Sequence, residues 1–133
     1  MHLHQNPSDD EILRFVEEWI DDLARDDYAA AFRRTDHDPY YRWTPELMRL
    51  VVQGYGLPEP HRSGAVFAVT ARASALGGPP QRVVDRDVVR PHCLAEIWYD
   101  LPLNGTWSDL TATFRVELRA EVSAVILQEI HVF

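Results

Sequence analysis

The sequence predicts an α+β domain, with three N-terminal helices packed on a mostly antiparallel sheet, and three observations carry that expectation. Apolar residues recur at helical spacing from Ile12 to Ala24. From His92 onward, apolar and polar residues alternate over runs long enough for strands. Between two of those runs stands Asn104-Gly105, a dipeptide that tolerates positive φ at both central positions of a tight hairpin turn. The helices come first and the strands after, without interleaving, which is the segregation that defines an α+β fold.

The elements follow in chain order. Residues 1–7 are expected to form a loose tail. Ser8 and Glu11 make a capping box, and the acids at 9–11 suit the positive end of a helix dipole. Ile12, Phe15, Val16, Trp19, Ile20, Leu23 and Ala24 then form the apolar stripe of a helix over 9–25, which leaves Glu17, Glu18, Asp21 and Asp22 to solvent. Asp26-Asp27 opens a second helix over 28–35 with Tyr28, Ala31 and Phe32 inward, and the short connection makes the two helices neighbours. His37 to Tyr41 reads as a turn or a short extended piece. Thr44 followed by Pro45 starts a third helix over 45–54, with Leu47, Leu50 and Val51 inward and Gly54 as its stop. Residues 54–64 are a loop, and residues 66–71 alternate as a strand does. Gly77-Gly78-Pro79-Pro80 breaks the chain. Further strands are expected over 82–89, 92–101, 107–118 and 122–132, the third of these with Leu110, Ala112, Phe114, Val116 and Leu118 on one face.

Composition narrows the function classes. A chain of 133 residues is one domain, 1–133, and is long enough to bury a core without staples. The formal net charge is -8, and 11 acids against 4 arginines stand in residues 1–38, a balance of -7. No basic footprint for nucleic acid is visible. The acidic end suits solubility or a basic protein partner. All 13 basic side chains are arginine. The single cysteine, Cys93, sits among apolar residues and reads as a small core hydrophobe. No signal-peptide pattern and no apolar run of membrane-spanning length is present, so no membrane association is expected and the cytoplasm is the expected location.

The capped helix from Ser8, the short helix at DDYAAAF, the third helix at TPELMRLV and the C-terminal strands together resemble the NTF2-like superfamily, the cystatin-like α+β cone. That resemblance implies a curved sheet of about four to six strands and a pocket between the sheet and the helices. Members of the group include isomerases, dehydratases and cyclases, as well as proteins that bind a ligand or dimerise through the sheet. The segments DLPLNGTWSDLTATFRVEL and ILQEIHVF are also similar to an uncharacterised bacterial family, which brings no activity with it.

The candidate catalytic residues are Asp109, Glu129 and His131, because a carboxylate beside an imidazole can do general acid–base work. Each also has a plain structural reading. Asp109 beside Ser108 suits a turn, Glu129 and Glu96 suit a solvated face paired with Arg115 or Arg119, and His131 suits an exposed position near the chain end. The candidate ligand-lining residues are Trp19, Tyr40, Trp43, Trp98 and Phe114, with Tyr41 and Arg42 completing an aromatic and basic cluster at a pocket mouth. The scattered histidines predict no metal site, and no phosphate-cradling or dinucleotide-binding glycine pattern predicts a cofactor. Val125 and Leu127 oppose Ala124 and Ile126 on the last strand, which predicts one face for the helices and another for a homodimer. The reading is a binding protein for a small apolar ligand or a protein partner, without demonstrable catalysis. The alternatives are an isomerase- or dehydratase-like enzyme using an Asp/His pair, and an acidic inhibitor- or immunity-type interaction module.

Overall fold

The computed structural model describes residues 1–133 as three helices and a curled sheet that closes into a half-barrel. The strands are β1 (Leu3–His4), β2 (Asp36–His37), β3 (Arg82–Asp85), β4 (Cys93–Leu103), β5 (Thr106–Arg119) and β6 (Val122–Val132). The helices are α1 (Asp9–Ala24), α2 (Tyr28–Arg34) and α3 (Pro45–Gln53), and a single 3₁₀ turn spans Arg72–Ser74. The strands run β1-β6-β5-β4-β3 with antiparallel neighbours, and β2 adds to β6 in parallel.

Local chemistry sets the helix boundaries. Ser8 accepts from the Glu11 amide while the Glu11 carboxylate accepts from the Ser8 amide, closing the capping box. The α1 C-terminus is a Schellman turn: the Asp26 and Asp27 amides donate to Leu23 and Asp22 carbonyls, with Asp26 at φ 60° in the left-handed position usually held by glycine. Asp27 then caps α2 through the Ala30 amide, so three residues end one helix and begin the next. Between β4 and β5, Asn104 and Gly105 take φ values of 50° and 86°, the two positive values of a type I′ turn.

The core lies between α1 and the concave side of the sheet. Trp19 and Phe114 meet edge-on at its centre, 5.0 Å apart at 87°, and both are fully buried. Ile97, Tyr99, Leu101, Ala112, Val116, Met48 and Val52 fill the space around them. On α3 the buried face is Met48, Val51 and Val52, whereas Leu50, expected inward, stays 47% exposed.

Three expected features differ. Residues 1–7 are not a loose tail: Leu3 and His4 pair with Ser123 and Val122, and the His4 ring meets Glu11 at 2.8 Å. Residues 66–71 form no strand. They run extended beside the end of β4 with one bridge, Val69 to Leu103, because Pro102 has no N–H to continue a ladder. The Thr70 amide donates to the Pro102 carbonyl, and the Asn104 side chain accepts from the Ala68 amide.

The last difference matters most for function. The register between β5 and β6 slips at Gln128, between the pairs Phe114–Leu127 and Thr113–Glu129. This bulge inserts one residue into β6 and reverses the alternation beyond it. Val125, Leu127 and Ile130 therefore join the core, and Glu129 and His131 turn to the outer face.

Candidate functional site

The concave interior is not a pocket. Trp19 and Phe114, expected to line one, pack against each other as core. The Trp19 indole N–H is buried with no hydrogen-bond partner. Trp98 sits on the outer face of β4, 4.5 Å from the Phe133 ring, and so is also no part of a cone interior.

The polar face of α1 is largely paired. The sequence placed Glu17, Glu18, Asp21 and Asp22 in solvent, but arginines distant in sequence reach each of them. Arg72 forks onto Asp21 at 2.9 and 3.0 Å, Arg82 donates to Glu17 at 2.9 Å, and Arg34 contacts Glu18 and Asp22. Glu17 also accepts from the Tyr99 hydroxyl at 2.6 Å, and burial followed by that carboxylate pushes the Tyr99 phenol up to about 12. An open groove of about 480 Å³ runs over this network between α1, Pro80 and Trp107. Its charges are satisfied from within the chain. The concentrated acidic patch that an interaction module would present on α1 is therefore diminished.

A second cleft, about 210 Å³, lies beside the part of β6 that has no strand on its outer edge. Tyr41, Trp43, Leu47, Val51, Pro58 and Ile130 wall it, and Gly56, Glu129 and His131 complete it. Two local features build it. First, the Trp43 indole N–H donates to the carbonyl of Gln128 at 2.9 Å, which pins the aromatic segment onto the β6 bulge. Second, α3 ends in another Schellman turn: the Tyr55 and Gly56 amides donate to Val52 and Val51 carbonyls. A Cβ on Gly54 would come within 2.0 Å of the Leu57 carbonyl, so glycine is required there. The left-handed position falls on Tyr55, at φ 57°, an uncommon conformation for a bulky residue. Its ring packs on Phe67 at 4.8 Å, and its hydroxyl donates to Asp109.

The structure thus divides the candidate catalytic set. Glu129 and His131 share the cleft with Trp43, whereas Asp109 is tied to Tyr55 outside it. Burial, then the nearby Asp109 carboxylate, raises the Tyr55 phenol above its usual value. Burial likewise raises Tyr41, with Glu129 beside its hydroxyl as the next cause. Tyr40, expected to line a pocket, is not part of the cleft's lining; it stands 82% exposed, edge-on to Tyr41 at 4.9 Å. Leu47 and Val51 were legible as apolar helix positions, but their role as cleft wall was not. Pro58 and Ile130 carried no signal of it at all.

The apolar face expected for dimerisation is also altered. Ala124 and Ile126 are buried within the single chain. Cross-strand from them, Arg115, Glu117 and Arg119 form a ladder of ion pairs on β5 that reaches Asp38 and Asp36. No helix is long and apolar enough to cross a membrane. No protein-family model, curated protein or solved structure matches the chain.

Proposed function

We propose that this chain is a small NTF2-like binding protein that takes the apolar part of its ligand in the cleft beside β6, without catalysis. The observation that carries the reading is the apolar lining of this cleft, Tyr41, Trp43, Leu47, Val51 and Ile130, at the edge of a filled core. A cleft of about 210 Å³ is smaller than the roughly 300–1,000 Å³ of sites that enclose a whole small molecule, so it suits one group of a larger ligand. The enzyme alternative is weaker because Asp109 does not face Glu129 and His131 across one cleft. A bacterial, cytoplasmic setting is part of this proposal, and the lone cysteine, which can form no intrachain disulfide, is compatible with it.

Binding of small uncharged alcohols and aromatic fragments, followed by amide and indole chemical shifts, tests it. The Trp43 indole N–H and residues 128–131 are expected to shift on titration. Trp43→Ala and, as a second variant in case the first loses structure, Leu47→Gln are expected to weaken binding about tenfold, roughly 1.4 kcal/mol. Shifts centred elsewhere, or binding untouched by both variants, would overturn the reading.

A sheet-mediated homodimer is a second proposal, now carried by a different patch. Trp98 and Phe133 pack together on the outer face beside Val83, and Phe133 and Val83 remain 59% and 41% exposed. Light scattering at two concentrations is expected to give a mass twice that of the chain, reduced to one chain in Trp98→Glu. A monomer at both concentrations would defeat it.

A further inference from the structure

We infer that the group bound in the β6 cleft is a cation, an alkylammonium head whose methyl or methylene surface lies on the Tyr41 and Trp43 rings and whose charge is balanced by Glu129. The inference rests on the cleft being a binding site for apolar groups and adds the sign of the ligand's charge.

The first argument is charge pairing across the molecule. Arginine is the chain's only strongly basic side chain, and arginines reach across the fold to the carboxylates of α1 and of the outer sheet face. Several carboxylates form no ion pair, and Glu129 is the one among them that borders this apolar cleft, whose lining holds no arginine. The Tyr41 hydroxyl lies beside it, and His131 is the other titratable side chain in the cleft's lining. A carboxylate set among aromatic and aliphatic walls loses hydration on ligand entry, and a neutral ligand would give nothing back for that loss. An anion would be repelled. A cation restores the balance.

The second argument is the arrangement of the rings. Tyr41 and Trp43, both in the cleft's lining, lie within 28° of parallel with centroids 6.0 Å apart. The negative faces of such rings attract a cation near them, and alkylated ammonium groups suit them because their charge is spread over apolar surface. A strongly hydrated inorganic cation would not use these walls. The third argument is size. A cleft of about 210 Å³, below the roughly 300–1,000 Å³ of sites that take a whole small molecule, fits one head group of a few heavy atoms.

The test compares choline with its uncharged isostere, in which carbon replaces the quaternary nitrogen, by titration against the wild-type chain in neutral to mildly alkaline buffer. Choline is expected to bind at least about tenfold more tightly and to shift the Trp43 indole N–H. Glu129→Gln is expected to remove that preference by weakening choline, while the isostere binds at least as tightly as to the wild-type chain. Trp43→Ala is expected to weaken both ligands. Equal binding of the two ligands, or a preference that survives Glu129→Gln, would overturn the inference and leave the apolar cleft standing. Binding of neither ligand, together with failure of the uncharged fragments, would overturn both readings. Binding of the fragments alone would overturn only the assignment of charge. Circular dichroism on Glu129→Gln separates loss of the counter-ion from loss of the fold.

Discussion

Phe114→Ala is expected to lower the stability of the chain by ~3–5 kcal/mol, the cost of deleting a buried aromatic ring from a core that relaxes only in part. Phe114 lies mid-way along β5, the central strand, with Ile97 paired to it on β4 and Leu127 on β6. All three are fully buried, and the Trp19 edge contact closes the ring from the helix side. Three walls from three other elements leave little freedom to collapse into the space. The aromatic pair adds about 0.5–1.5 kcal/mol beyond its burial. For a chain of 133 residues this is a fall of roughly 15 °C in Tm. Urea unfolding is the measurement, with a lowered midpoint and an unchanged slope as the expected result. A loss under about 1 kcal/mol would show that the cone is not packed solid around this ring. Trp19→Phe is the informative companion. It also removes volume, but it relieves an indole N–H that is buried with no partner, a burden of about 1–3 kcal/mol. Its loss should therefore be clearly smaller than that of Phe114→Ala.

The elements that were legible from sequence share one property: neighbours along the chain decide them. The Ser8–Glu11 capping box, the Thr44-Pro45 start and the Asn104-Gly105 turn are local chemistry, and each stands where it was read. The inward set on β5 follows the period-two rule from Leu110 to Val116 without interruption. The site was less legible because distant parts of the chain determine it. Glu129 and His131 were picked out as a polar pair sharing a face, and they do share one. What alternation could not give is which face, since one extra residue at Gln128 reverses every side chain after it. Leu47 and Pro58 become cleft walls only when α3 and the loop after Tyr55 settle against the outer edge of β6. The same limit applies to charge. A helix with four acids on its polar side reads as an acidic surface, and nothing near Glu17 or Asp21 announces that Arg72 and Arg82 will come to meet them. Asp26 and Tyr55 show a third limit. Both occupy left-handed positions that sequence reading assigns to glycine, and both tolerate them inside Schellman turns whose hydrogen bonds are complete.

Asp22→Asn should be the most damaging polar substitution in the molecule. The residue is only 1% exposed although it is charged, and it sits in the last turn of α1, where the helix dipole disfavours an anion. Two arginines stabilise it there. Arg34 donates from Nε to Oδ2 at 2.8 Å and from Nη2 to Oδ1 at 3.3 Å, and Arg25 reaches Oδ1 from one turn on. Arg34 lies at the C-terminal end of α2, so this contact fastens the two helices together across the Schellman turn. The pairing holds the Arg34 guanidinium more firmly protonated than usual, with the Asp22 hydrogen bond as the leading cause. Replacing the carboxylate by an amide keeps the shape, removes the charge and presents N–H groups to an arginine that needs acceptors. Breaking a buried pair from one side costs about 3–5 kcal/mol. Glu18, which stays on Arg34 at 3.0 Å, should hold the loss near the lower end, at about 3 kcal/mol. A double-mutant cycle over Asp22→Ala and Arg34→Ala is the decisive measurement. The double variant should be less destabilised than the sum of the singles by roughly 1–3 kcal/mol, because the second truncation removes the group that the first left unpaired. Strict additivity would mean that Asp22 is buried for its packing alone and that the helix pair is held by its apolar stripe.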